Sequence, residues 1–486
     1  MRYQQIDILG GYHKDKARSW SNEDTCNWLP TISRAQNSLT RAMLKMPPGL
    51  LKFATMDGGE FSSGPIRGMR NVEGALFVVS GTTLFEVSKT GVSTPRGEIP
   101  GTGRVVMSHN QFSTGYQLLV ENGQGQGGYV WSTAAGTFEK ITDEGYPGGI
   151  STDYLDSYLL SVEPFGRFWF HSDLANATSY NTLDRYESEA SPDKIVGLVA
   201  FQFEVMVFNR TTIEFFYNAG TQTGTFQNKR AVINRGCASG QTIKRFAGTV
   251  LWLGDDGVVY MLDGYNAIPI SDASVEQAIA GLNWGQSFAF TWEDKGYKVY
   301  YLTFPDGQTF GFDLVNKSWH RRQSYGRDNW RVSDTVYWNG AWYAGDRYTN
   351  TIWRLDWDYP FEGDQPIVRE RVSSAMWDNQ NRLVVNSIEL VLDTGIQVHM
   401  DGNNAPSLII KDGRISSSEL LDVLPAGSTV GGHFYLGGQL FVKDDEPAYY
   451  NFGLSAGYTY PPAGNVLYYD DFASLSQMIV IAYEWT

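Results

Sequence analysis

The side chains best suited to metal binding or nucleophilic chemistry are six histidines and two cysteines, and their spacing supports neither. His13, His109, His171, His320, His399 and His433 are scattered. None stands near another His or a Cys at ligand spacing, so there is no zinc signature. Cys26 and Cys237 lie far apart and sit in no nucleophile motif. Two pattern matches fail on context. Gly123 to Gly128 reads G-x-G-x-x-G, but Tyr129-Val130-Trp131 follows as a strand where a dinucleotide fold needs a helix N-terminus. Gly453 to Gly457 reads G-x-S-x-G, but Tyr458-Thr459-Tyr460-Pro461-Pro462 follows, which no helix would tolerate. Of the carboxylate runs, Asp255-Asp256 and Asp470-Asp471 read as turn residues and Asp444-Asp445-Glu446 as a solvated charge run. The expectation is no catalytic centre, no metal and no cofactor.

What these residues are mounted on is a repeat. Gly248 to Gly264, GTVLWLGDDGVVYMLDG, has two apolar arms joined by Gly-Asp-Asp-Gly, and Asp256-Gly257 suits a tight turn with positive φ. Neither arm alternates apolar with polar, so each strand is covered on both faces. Similar hairpins turn near Gly81, Gly125, Gly166, Asn209, Gly307 and Tyr348. Intervals of roughly 40 to 50 residues match four-stranded propeller blades, and a hairpin leaves room for two more strands in each. Blade number stays open at roughly five to seven. Trp319-His320-Arg321-Arg322, with Trp330, Trp338, Trp342, Trp353 and Trp357, reads as core rather than a sugar-stacking surface.

The remaining chain has other textures. Leu39, Ala42, Met43 and Met46 fall at partly helical spacing before Pro47-Pro48-Gly49, but an extended strap over the repeats fits as well. In SDASVEQAIAGL, Ser274 and Gln277 form a capping box, with Val275, Ala278, Ile279 and Leu282 on one face of a short helix between blades. Asn386 to Gly395 reads as a strand and turn. From Asp401 onward ten acidic residues face three basic ones, so a separate acidic β-domain closes the chain. The expected division is an N-terminal strap at 1–70, a propeller-like domain at 71–365 and a C-terminal β-rich domain at 366–486.

Composition restricts the functions open to such a scaffold. With 19% charged residues and a formal charge of −15, the chain suits no protein that grips DNA through clustered Lys and Arg. Two cysteines exclude a disulfide framework and fit folding in a reducing cytoplasm. The N-terminus lacks the apolar run of a secretion signal, and Met478 to Tyr483 is too short to span a bilayer.

The pieces NWLP, PPGLLKF, PIRGM, LFVVSGTTLFEV, GTGRVVMSHN, DRYESEASPDKIVGL, TTIEFFYNAG, VVYMLDGYNAIPISDASVEQAI and GFDLVNKSWHRR occur in that order. Together they resemble the packaged-DNA-stabilisation or tail nozzle (hub) proteins of short-tailed bacteriophages, over about residues 25 to 325. The resemblance implies a virion tail component, made in the host cytoplasm, that forms a homo-oligomeric ring, typically a hexamer, beneath the portal and adaptor rings. It implies extension of the channel for double-stranded DNA, retention of the packaged genome, and docking of tailspikes or fibres and of a tip or plug protein. The family has no known catalytic residues. An acidic lumen would let DNA pass without binding it, which makes Asp444, Asp445 and Glu446 candidates for the channel wall. A solvated acidic exterior is an equal alternative. The rival functions are a glycan-binding module and a polysaccharide-degrading enzyme.

The fold class expected is therefore all-β: a propeller-like array with a smaller C-terminal β-domain.

Overall fold

The computed structural model describes residues 3–4, 10–15, 21–33, 42–58, 63–111, 114–125, 127–221, 224–373, 385–393 and 477–485. The chain divides into two compact units, Leu50–Asp356 and a second made of Met1–Gly49 with Trp357–Thr486.

Among the described residues the first unit is a β-propeller of seven antiparallel blades: five are separate four-stranded sheets, and the last two are four-stranded portions of larger sheets. Blade 1 runs Ile66–Val72, Ala75–Ser80, Thr83–Val87, Ser93–Glu98. Blades 2 to 6 repeat that path over 106–140, 152–187, 195–233, 244–269 and 288–322. Blade 7 takes three strands from its own stretch, Val332–Trp338, Ala341–Asp346 and Thr351–Asp356. Its fourth, Gly49–Thr55, comes from before blade 1. Asn350 locks this closure: Met56 N–H donates to its carbonyl at 2.8 Å, and its Nδ2 donates to Met56 O at 2.6 Å. The first strand of each blade lies innermost, next to the first strands of its two neighbours, and the circle closes where Val332–Trp338 meets Ile66–Val72. Each of the seven hairpins read from the sequence is the middle pair of strands of one blade.

The unbroken apolar arms follow from this stacking. Along Ala75–Ser80, Phe77 and Val79 pack toward Val105, Leu118, Val120 and Trp131 of blade 2. Leu76 and Val78 pack the other way, on Trp338, Tyr343 and Ile352 of blade 7. A strand between two other blades has no solvent face, so both of its periods are apolar. Trp319, His320, Arg321, Arg322, Trp330, Trp338 and Trp353 are buried, as expected of core, whereas Trp342 and Trp357 are half-buried.

The Asp-Asp-Gly turn forms as read. Gly257 has φ +80°, and a Cβ there would sit 2.6 Å from the Trp284 ring. The short helix is Ala273–Ile279, between blades 5 and 6, with Val275 and Ile279 fully buried. Its cap differs from expectation: Asp272, not Ser274, accepts from the Ser274 and Val275 N–H groups at 3.1 and 3.0 Å. A carboxylate two residues earlier meets the free N–H groups and the positive end of the helix dipole together.

In the second unit Ala42–Lys45 is a strand rather than part of a helix. It lies between Leu29–Ile32 and Gln477–Trp485, while Tyr3–Gln4 and Val385–Asp393 also pair with Gln477–Trp485. The two ends of the chain therefore share one sheet. Residues 1–49 group with the last part of the chain rather than forming a strap of their own. A boundary at 70 would cut the inner strand Ile66–Val72 and detach Gly49–Thr55, which completes blade 7. Within this unit the buried Arg371 guanidinium holds Glu23 at 2.9 Å, Thr25 Oγ1 at 2.8 Å and Gly11 O at 3.0 Å.

Candidate functional site

An inner strand is the exposed edge of its sheet, and its free backbone groups need partners. Side chains of the neighbouring blade supply several. Asp153 Oδ2 of blade 3 accepts from Ala200 N of blade 4 at 2.8 Å, and Asp334 Oδ2 of blade 7 accepts from Met69 N of blade 1 at 3.4 Å. Ser151 Oγ is bonded to Leu198 N at 3.2 Å, and Thr335 Oγ1 donates to Thr291 O at 2.6 Å. Arg67, almost fully buried, donates only to carbonyls: Gly103 at 2.6 Å, Ile99 at 2.8 Å and Gly81 at 2.9 Å. Burial without a carboxylate lowers its pKa to about 10.

The same circle of strands brings cations to the axis. Arg104 leaves the start of blade 2 and donates to Ser333 O of blade 7 at 2.5 Å. Its Nε reaches Gln241 Oε1, ahead of blade 5, at 3.4 Å, and its guanidinium lies 4.2 Å from the Phe288 ring centroid in blade 6. One side chain thus joins four blades by crossing the axis. Arg347 lies over the same ring at 5.7 Å. Arg70 of blade 1 donates to Met107 O at 2.7 Å and to His109 Nδ1 at 3.0 Å. Burial, reinforced by that guanidinium, lowers the His109 pKa to about 4, so the imidazole is neutral and its Nδ1 an acceptor. Arg245 of blade 5 donates to Ala200 O at 2.6 Å and stands 3.9 Å from Asp153.

Burial lowers the pKa of Arg70, Arg104 and Lys244. Asp153 and Asp334 pull against that for Arg70, and Asp334 for Arg104 and Lys244, while neighbouring cations add to it. The axis therefore carries more positive than negative charge, inside a chain of net charge −15. Such a wall can hold an anion. It lacks the pieces of nucleophilic catalysis, since His109 is occupied by Arg70 and its basicity is suppressed.

The residues singled out from sequence fall elsewhere. Asp444, Asp445 and Glu446 lie outside the described residues, as do His399, His433, Gly453 to Gly457 and Asp470-Asp471. His171 and His320 are buried in the blades, and burial lowers His320 to about 3. Cys26 and Cys237 are buried, and burial pushes Cys237 up to about 12, which makes it inert. Gly123 to Gly128 leads into the strand Gly128–Ser132 of blade 2 and binds nothing by a helix. Asp256 accepts from Val258 N at 3.1 Å and Tyr260 OH at 2.6 Å, as a turn residue does. Among the described residues no three His, Cys, Asp or Glu side chains gather as a metal site, and no helix is long and apolar enough to cross a membrane. The axial cations were missed because they come from several repeats: Arg70 from blade 1, Arg104 from before blade 2, Lys244 and Arg245 from blade 5. A basic residue recurring in or just before a blade's first strand is the signal that could have found them.

The family comparison agrees with this architecture. A family profile described as Bacteriophage P22 Gp10, beta-propeller, matches residues 4–359. The tail hub protein gp10 of Salmonella phage P22 is 25% identical over 302 residues, 57% of this chain and 59% of its own length. The chain thus matches less than two thirds of that relative. Among solved structures, the streptogramin B lyase is similar over 63% of this chain and 97% of its own, at 12% identity and TM-score 0.44. The computationally designed Ika8 protein is similar over 63% and 99%, at 11% identity and TM-score 0.40. Neither likeness bears on activity. The profile match covers most of the chain, which belongs to the phage-stabilisation family of P22 Gp10 β-propellers.

Proposed function

We propose that this protein is a structural component of a short-tailed phage tail, assembling as a ring of six copies beneath the portal and adaptor. In this reading it extends the DNA channel, helps retain the packaged genome, and carries tailspikes or fibres and a tip or plug protein. The observation that carries the reading is the profile match over residues 4–359, joined by the tail-hub relative. Membership of that family goes with a structural rather than a catalytic role.

The geometry adds one constraint. Arg104 crosses the propeller axis, so a duplex cannot thread a single propeller. A DNA path must run between copies of the chain, with each propeller as a wall segment. A net charge of −15 suits such a wall, because it limits phosphate contacts. Within this proposal residues 366–486 act as an acidic β-rich domain that brings Asp444, Asp445 and Glu446 to the lumen.

The experiment is mass photometry and class averaging of the full chain mixed with its portal–adaptor complex. The expected result is a closed ring seated on the adaptor. A chain that stays monomeric and never joins the complex would overturn the reading. Saturable glycan binding by that monomer would favour the recognition module instead.

A further inference from the structure

We propose that one face of the propeller docks an acidic protein segment, whose carboxylates are taken by a row of three arginines, Arg327, Arg347 and Arg104.

That face carries the turns between second and third strands and the connections from blade to blade. Arg327 lies in the connection from blade 6 to blade 7, Arg347 in the turn after Ala341–Asp346, and Arg104 just ahead of blade 2. Two rings join them. The Arg327 guanidinium lies 3.6 Å from the Tyr348 ring centroid, and Arg347 lies 4.9 Å from the same ring. Arg347 Nη2 also donates to Tyr348 OH at 2.6 Å and to Asn329 Oδ1 at 3.3 Å. The Phe288 ring then has Arg347 at 5.7 Å and Arg104 at 4.2 Å.

Among the described residues none of these three guanidinium groups has a carboxylate in ion-pair contact. Asp346, next to Arg347 in the chain, is fully buried and already taken by Arg331 at 2.6 Å, Tyr348 N at 2.8 Å and Trp353 Nε1 at 3.0 Å. Asp334 accepts from Met69 N and Thr335 N. Arg347 and Arg104 meanwhile oppose each other's charge. Cation–π contact positions a guanidinium and leaves its in-plane N–H groups free. The Arg327 side chain is exposed and donates to no described residue, while Arg347, Tyr348 and Arg104 are half-buried. A carboxylate accepts edge-on from such a fork.

The row favours a peptide over other anions. Each guanidinium is held by a ring rather than at a common point, which suits successive carboxylates along an extended segment more than one compact ion. Phe288 is buried and Tyr348 already carries two guanidinium groups, so the stacking that single-strand readers rely on is taken up. Elsewhere a chain of charge −15 repels an acidic segment, which confines docking to this face.

The proposal is independent of ring assembly, since one chain suffices for it. Its test is fluorescence anisotropy of a labelled octaglutamate peptide titrated with the full chain in low salt. Arg327→Gln and the control Lys298→Gln are run in parallel. Lys298 pairs with Glu293 at 3.2 Å, beside the turn between the first two strands of blade 6 and so on the opposite face. The expected result is saturable binding in wild type and Lys298→Gln, weaker by about fivefold in Arg327→Gln and falling as salt is raised. Arg327 bonds to nothing in the fold through its side-chain N–H groups, so its loss leaves the protein folded, which circular dichroism checks. No saturable binding, or equal binding in all three proteins, would overturn the proposal. Displacement of the peptide by sodium phosphate, beyond that by sodium chloride at matched ionic strength, would overturn it in favour of a compact ion. Displacement by single-stranded DNA at equal charge concentration would overturn it in favour of nucleic acid.

Discussion

The layers between blades and the wall around the axis are built from the same strands by opposite means. Between blades 3 and 4, Trp169 is fully buried, stacked on Tyr186 at 4.6 Å and edge-on to Phe216 and Phe226 at 5.2 Å each. These ring contacts involve no charge. At the axis the strands are joined by carboxylates, hydroxyls and guanidinium groups, because edge backbone there needs partners rather than cover. The layers supply most of the stability. The axis supplies a fixed field, and so the capacity to bind.

The largest effect should come from the layers. Trp169→Ala empties an aromatic site that its neighbours cannot collapse into, at a cost of roughly 3–5 kcal/mol. Urea unfolding measures it, and the loss should be the same at low and high salt. A marked salt dependence would mean that the layers are not purely apolar in their energetics.

Glu121 is the exception that sharpens the comparison. It is a carboxyl inside the layer between blades 2 and 3, fully buried, accepting on one oxygen from Ser161 Oγ at 2.6 Å and Tyr146 OH at 3.0 Å. Its other oxygen has no partner. Burial raises its pKa to about 8, against the hydroxyl bonds that favour the charged form. The folded state therefore binds this proton more tightly than the unfolded chain. Its stability contribution is complete below the ordinary Glu pKa, declines as pH rises toward 8, and is flat above that. Glu121→Gln should lie within about 1 kcal/mol of wild type near pH 5 and exceed it by roughly 4–5 kcal/mol at pH 9, the magnitude that follows from a rise from 4.5 to about 8. Parallel unfolding curves at the two pH values check it, and an unchanged gap would show that Glu121 does not titrate in this window.

Arg67 lies between the two regimes, buried like the layers yet bonded like the axis. Arg67→Met keeps the volume and strands the carbonyls of Gly81, Ile99 and Gly103. A loss of about 2 kcal/mol is expected, with proteolysis appearing first in the loop at 99–103 that these bonds hold.

How much of this was readable depended on how far apart in the chain the cooperating residues lie. The middle hairpins of all seven blades were visible because Ala75–Ser80, Thr249–Leu253 and their counterparts are apolar on both faces over a few residues. The outer strands Thr137–Lys140 and Asn266–Pro269 were not, since their mostly exposed polar side chains resemble loops. Blade number was hidden because Gly49–Thr55 completes a sheet begun nearly 300 residues later. The axial charge was hidden for the same reason: Arg70, Arg104 and Lys244 belong to three repeats, and no run of sequence holds more than two of the cations. A search for linear basic patches returns nothing when the patch exists only once the circle closes.

The smallest effects should come from the axis, and their signs carry the information. Lys244→Gln removes a cation that donates to no described residue, and Asp153→Asn removes one of two counter-charges while keeping an acceptor for Ala200 N–H. In low-salt chloride the first should stabilise and the second destabilise, each by less than about 1 kcal/mol, as befits charges that water still reaches. Both differences should shrink toward zero as ions screen these charges. Thermal unfolding at low and high chloride measures the pair. Two substitutions of opposite charge sign, moving stability in opposite directions and converging with salt, would show an excess of positive charge at the axis. If both destabilised equally at every salt concentration, the axial side chains would be acting as hydrogen-bonded struts, and the contrast between field and filling would fail.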